Sequence, residues 1–248
     1  MSKTSRCEML RNLGKVKKPI KKPPLSKIHR EKRVQWAEQY VKMDFKNVVF
    51  TDECRATLDG PDGWSSGWVL NGRPVGSRIR RQQGDGGVMF WAGIKDQDII
   101  GPFRVPQGVK IDSKGYCQLL TDFFLPYLED QTLLERKSLV SQQDNAPAHE
   151  SRYTQSWLMD HGFKERRLMV WPPNSPELNL IENLWAIIKQ RVYADGRQFN
   201  TLDELWNAVL EACRSIKQCE IRKLTPQLIS VFFTSSQMEE AMLTREVE

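Results

Sequence analysis

NVVFTDE, residues 47–53, is a short β-branched and aromatic run that ends on two carboxylates. Such a run reads as a strand, so residues 47–51 are taken as the first strand of the chain, with Asp52 directly after it. Working outward, residues 68–70 and 88–94 (VMFWAGI) are two more runs of this kind, separated by Gly-, Asp- and Asn-rich segments. The three together predict an antiparallel meander. Downstream the period changes: Leu119, Leu120, Phe123, Phe124 and Tyr127 return every three or four residues, which predicts a helix over 114–128. Residues 138–143 then read as a strand, 152–159 as a helix, 168–171 as a strand, and 181–193 and 201–216 as helices. The last opens with a capping box of Thr201 and Glu204 and carries Leu205, Val209 and Cys213 on one face. Hairpin strands followed by alternating helices and strands describe an α/β fold, a mixed sheet flanked by helices.

Composition narrows the class. The chain has 248 residues and a formal net charge of +6, yet residues 1–46 alone hold 14 basic and 4 acidic side chains, so a basic leader precedes a mildly acidic body. With 40% apolar residues, 8 Trp and 10 Phe, the body can bury a sizeable core, which excludes disorder there. The apolar stretch 88–94 falls far short of the roughly 20 residues that cross a bilayer, so no membrane partner is expected. Five cysteines without a C-x-x-C pair support neither a zinc ribbon nor a disulfide framework, and point to a reducing compartment, cytosol or nucleus. Within the leader, KVKKPIKK (15–22), with Pro19, Pro23 and Pro24, reads as an extended linker. Residues 2–13 before it read as a short helix closed by Gly14, and residues 26–43 after it as a helix docked by Trp36, Ala37, Tyr40 and Val41.

Three acidic residues stand at the ends of these elements. Asp52 follows the first strand, Asp144 follows the strand in SLVSQQDN, and Glu182 lies in the first turn of the helix LIENLW, with 37 residues between the last two. If the strands ending near Asp52 and Asp144 are neighbours, both aspartates emerge at one sheet edge and a returning helix presents the glutamate. Two unit charges about 4 Å apart repel by about 4 kcal/mol at an effective dielectric of about 20, so three convergent carboxylates require cations. Hard oxygen donors without His or Cys favour Mg²⁺ or Mn²⁺. A pair of such ions activates a nucleophile and stabilises the leaving oxygen of a phosphodiester, which implies phosphoryl transfer on nucleic acid. Spacing alone leaves a second reading open, because aspartates after strands are commonly turn residues.

The surrounding words add to this. TDE, LDGPDGW, GGVMFWAGI, QQDNAPAH and WPPNSPELNLIENLW, in this order, closely resemble the catalytic domain of the Tc/mariner superfamily of DDE transposases over about residues 47–193. The resemblance implies a ribonuclease-H-like fold over 47–223. It also implies a metal triad falling on Asp52, Asp144 and Glu182, two Mg²⁺ or Mn²⁺ ions, and cut-and-paste transposition: nicking of transposon-end DNA, then attack of the freed 3′-hydroxyl on target DNA. A nuclear site of action and a homodimer that pairs two ends follow by analogy. SKTSRCEMLRNLG is similar to the recognition helix of a second helix-turn-helix, and KKPPLSKIHREKRVQWA to the linker after it, so residues 1–46 are expected to be the remnant of a DNA-reading region. This chain has Glu177 where the family has Asp and Leu180 where it has Pro, and residues 224–248 depart from the basic, glycine-containing ending of the family. A domesticated, non-catalytic DNA-binding protein and a nuclease acting on RNA–DNA hybrids are the alternative readings.

Several neighbours carry expectations of their own. Lys15, Lys17, Lys18, Lys21 and Lys22 of the leader, and Arg78, Arg80 and Arg81 in a glycine-bounded segment, are candidate phosphate contacts. His149 is a candidate for either a phosphate contact or a structural hydrogen bond. Asn145 and Pro147 read as turn residues. Glu53, beside Asp52 on an extended chain, points the opposite way and reads as structural. Pro172, Pro173 and Pro176 read as a rigid bend delivering the Glu182 helix, Asn179 as its cap, Asn183 as a group orienting the metal shell, and Trp185 and Ile188 as core.

Overall fold

The computed structural model describes residues 25–60 and 86–224. The expected helix 2–13, the linker lysines of residues 15–22, the strand 68–70, Arg78, Arg80 and Arg81, and all but the first residue of the 224–248 tail lie outside them.

Four strands form one sheet in the order β3-β2-β1-β4. β1 (Val48–Thr57), β2 (Gly87–Lys95) and β3 (Asp98–Arg104) are an antiparallel meander, and β4 (Val140–Gln142) pairs with β1 in parallel. An antiparallel meander forms, but not from the three expected runs: the expected strand 68–70 lies outside the described residues, 88–94 falls in the middle strand, and the third strand is 98–104, to which the sequence reading assigned no strand. Its Gly101-Pro102 pair looks like a turn, yet β3 sits at the sheet edge, where a missing N–H is tolerated. β1 also outruns its expected end at Thr51. Cys54 and Ala56 pair with Phe90 and Val88 and are buried, so Asp52 lies inside the strand and not after it. The strand expected over 168–171 shrinks to one bridge between Leu168 and Ser141, because Val170 turns out to solvent while Trp171 turns inward.

Each face of β1 meets a different helical layer, as period-two alternation requires. Val48, Phe50, Cys54 and Ala56 join the core built by α6 (Leu180–Val192) and α7 (Leu202–Arg214), including Leu184, Trp185, Ile188, Leu205 and Val209. Val49 and Trp91 face the other core, with Tyr116, Leu120, Phe124, Leu158 and Phe163. That second layer comes from α2 (Ser113–Leu119), a wider π-helical turn over Leu120–Phe124, α3 (Leu125–Glu129), and α5 (Arg152–Asp160). The single helix expected over 114–128 is therefore continuous in path but interrupted in winding. Between them α4 (Leu133–Ser138), absent from the sequence reading, starts with a capping box of Thr132 and Glu135. A short α8 (Gln218–Ile221) follows α7. The capping box expected at Thr201 is half realised: Thr201 accepts from the Glu204 amide at 3.1 Å, but Glu204 accepts from Asn200.

One helix precedes the sheet. α1 (Lys27–Tyr40), capped by Ser26, is polar almost throughout and buries only Trp36. That ring meets Trp171 edge to face at 5.1 Å, Arg33 pairs with Glu177, and the Tyr40 hydroxyl accepts from the Val170 amide at 3.3 Å. All three contacts fall on the segment leading into α6, so the helix in the second half of the leader is fastened to the approach of Glu182.

Candidate active site

The parallel pairing of β1 with β4 places two of the three carboxylates. The last paired residues are Phe50 and Gln142, and two residues beyond each come Asp52, still on β1, and Asp144, in the loop after β4. Thr51 closes the edge by donating its hydroxyl to the Gln142 carbonyl at 2.9 Å. Glu182 arrives from the other side, in the first turn of α6, where the Asn179 side chain accepts from the Ile181 amide at 3.3 Å as an N-cap. Asp52, Asp144 and Glu182 line one cavity of about 510 Å³, together with His29, Asn145 and the 171–176 bend.

The three are held in different ways. Asp52 Oδ2 accepts from Trp185 Nε1 at 3.0 Å. Burial raises Asp52 above the ordinary carboxylate range, with the Trp185 bond pulling it back and the charge of Asp144 adding to the rise. Asp144 Oδ1 accepts from the Ala146 amide at 2.9 Å and from His149 Nδ1 at 2.6 Å; the His149 bond holds this carboxyl below its ordinary value against partial burial. Glu182 accepts no hydrogen bond among the described residues. Partial desolvation and the charges of Asp52 and Asp144 raise it, while Lys189 opposes them. The three carboxylates therefore feel one another across the cavity. As the side chains stand, no three His, Cys, Asp or Glu groups among the described residues lie close enough to hold one ion together. The donor set is nonetheless all hard oxygen, and the mutual repulsion is of the kind a divalent cation relieves, so the residues fit Mg²⁺ or Mn²⁺ chemically.

His149 is not exposed to a passing phosphate. It is 3% exposed, with Nδ1 on Asp144, Nε2 3.7 Å from Glu53 Oε2, and the Tyr116 ring 4.0 Å away. The structural hydrogen bond prevails over the phosphate contact, because the ring lies behind Asp144 and not in front of it. Glu53 points away from Asp52 as expected, but towards His149, and burial pushes it up to about 7 against the pull of that ring. Asn145 does more than turn the chain: its Nδ2 donates to the Trp171 carbonyl at 3.0 Å, tying the Asp144 loop to the bend before α6. Asn183 makes no side-chain hydrogen bond among the described residues. Trp185 is core, as expected, and also the donor to Asp52, a role that sequence reading missed. The signal was available, since a buried indole N–H usually finds an acceptor and Asp52 is an acidic residue on the strand that α6 covers.

Comparison with known proteins gives a consistent picture. The family described as DDE superfamily endonuclease matches residues 47–206. The transposase of the transposable element Tc3 of Caenorhabditis elegans is 34% identical over 203 residues, which cover 82% of this chain and 59% of that protein. The Tc1 transposase of the same organism is 34% identical over 211 residues, covering 78% of this chain and 72% of the relative. The chain thus spans well under two thirds of the Tc3 protein. Among solved structures, the Mos1 mariner paired-end complex with Mn superposes with a TM-score of 0.73 at 17% identity, covering 96% of this chain and 70% of that one. The catalytic domain of Mos1 mariner transposase gives 0.68 at 14% identity, over 88% of this chain and 97% of that one. At these identities the likeness speaks for the fold, which is ribonuclease-H-like.

Proposed function

Since this chain belongs to the DDE superfamily of endonucleases, in its Tc/mariner branch, we propose that it cuts DNA strands and joins them to a target by metal-dependent phosphoryl transfer. The observation that carries the reading is the set of three carboxylates, from β1, the loop after β4 and the first turn of α6, lining one cavity. In this reading Asp52, Asp144 and Glu182 would hold two Mg²⁺ or Mn²⁺ ions. When bound, the ions supply an activated water or 3′-hydroxyl nucleophile and charge relief at the phosphodiester. The chain's own part is positional. Trp185 fixes Asp52, the Ala146 amide and His149 fix Asp144, and Asn179 sets the start of the helix that brings Glu182. DNA, as transposon end and as target, is the proposed substrate, with the nucleus as its place and a homodimer as the unit that pairs two ends.

The test is Mn²⁺- or Mg²⁺-dependent nicking of supercoiled plasmid by the full chain. Asp52→Ala, Asp144→Ala and Glu182→Ala should each bring nicking to background while the proteins stay folded by circular dichroism. Persistence of nicking in these variants sinks the proposal. Tight DNA association without Mn²⁺ binding would move the reading to a non-catalytic DNA-binding protein.

A further inference from the structure

Behind Asp144 lies a pair of residues that the triad leaves unused. Glu53 is the next residue after Asp52 on β1, so its side chain emerges on the opposite face of the sheet. There it approaches His149, whose Nε2 is 3.7 Å from Glu53 Oε2. The other oxygen, Oε1, is buried and has no hydrogen-bond partner among the described residues. Buried carboxylate oxygens without partners are uncommon and costly, which sets Glu53 apart from an ordinary structural residue. His149 is correspondingly fixed. Tyr116 packs on its ring at 4.0 Å, and its carbonyl accepts from Gln155 Nε2 at 3.1 Å and Gln143 Nε2 at 3.4 Å. Its Nδ1 meets Asp144 Oδ1 at 2.6 Å, on the same oxygen that accepts the Ala146 amide. Oδ2 of Asp144 accepts nothing from the described residues.

We propose that Glu53 and His149 are positioning residues for Asp144: the carboxylate behind the sheet orients the imidazole, and the imidazole secures Oδ1 so that Oδ2 is presented to the cavity as the ligand oxygen. The arrangement couples the two faces of β1. Asp52 serves the cavity directly, and its neighbour serves it from the far side through His149. The proposal rests on the assignment of Asp144 as a metal ligand. Partners standing behind a ligand usually change metal affinity by about 10–100-fold when removed.

The experiment is a Mn²⁺ titration of the full chain by calorimetry, with thermal melting in parallel, on wild type, Asp144→Ala, His149→Ala, His149→Asn, His149→Gln and Glu53→Gln. His149→Ala should weaken Mn²⁺ binding by about 10–100-fold. His149→Asn, whose amide nitrogen takes the place of Nδ1, should restore most of the affinity. His149→Gln, whose amide reaches towards the place of Nε2, should not. Glu53→Gln, isosteric and uncharged, should weaken binding towards the lower end of that range with cooperative melting retained. Binding lost in Asp144→Ala but unchanged in His149→Ala overturns the positioning role alone, as does rescue by Gln in place of Asn. Binding unchanged in Asp144→Ala overturns the ligand assignment and the positioning role with it. If His149→Ala fails to melt cooperatively, the Asn and Gln pair and Glu53→Gln decide.

Discussion

The Asp144 loop and the Glu182 arm face each other across the same cavity and are built on opposite principles. Asp144 is gripped by polar contacts: the Ala146 amide and His149 on its carboxylate, Gln155 on the His149 carbonyl, and Asn145 reaching over to Trp171. Glu182 has no polar partner of its own among the described residues. Its place depends on how residues 171–179 are packed, and that packing depends on α1 through Trp36 and Arg33. One carboxylate is set in advance and the other is free to adjust, which explains how three carboxylates line one cavity without meeting at one point. It also spares the protein part of the repulsion among three anions, since the exposed glutamate can stay hydrated.

The comparison breaks most visibly at Trp36. Trp36→Ala removes a buried ring from the Trp171 contact and should cost about 3–5 kcal/mol of stability by chemical denaturation. It should also reduce metal-dependent nicking at temperatures where the variant is still folded. If nicking per folded molecule is unchanged, the arm does not depend on α1. A smaller effect separates Asp52 from both neighbours. Trp185→Phe keeps the edge-to-face packing on Phe90 but deletes the donor to Asp52. Asp52 is already raised by burial, and losing this bond raises it further. Protons then compete with the metal at a higher pH. Mn²⁺ affinity should fall about tenfold, and its decline on acidification should begin at a higher pH than in wild type; coincident pH curves count against the Trp185 role. The smallest effect belongs to Arg33 and Glu177, mostly and partly buried respectively. Their coupling in a double-mutant cycle should be about 0.5–1 kcal/mol, and zero coupling would mean that Trp36 alone docks the helix.

The carboxylates were easier to find in the sequence than what holds them. Asp52, Asp144 and Glu182 announce themselves because each sits beside a strongly patterned run, NVVFT, SLVSQQ or LIENLW. Strand ends were less legible: Cys54 and Ala56 continue β1 through pairing with Phe90 and Val88, a long-range fact that a local window does not contain. β3 was hidden because Gly101 and Pro102 signal a turn whether or not an edge strand tolerates them. Leu168 and Val170 show the reverse, β-favouring residues that pair only once because Trp171 is claimed by α1. His149 was left open between two roles and Trp185 was only half described, since neither the fold of the Asp144 loop nor a hydrogen bond between elements far apart in the chain leaves a mark in composition or period.

The pairing of β1, which carries Asp52, with β4, which leads into the Asp144 loop, has a consequence for chain length. A ladder of backbone hydrogen bonds fixes β1 against β4, and Asp144 follows β4 by only two residues, so residues added between β1 and β2, or between β3 and α2, lengthen the path between the two aspartates without disturbing that pairing. Glu182 has no ladder. One residue inserted between Asn179 and Glu182 would turn the glutamate about 100° around the axis of α6 and swing it off the cavity. Length is free where pairing measures the distance, and tightly limited over the few residues where a helix cap does.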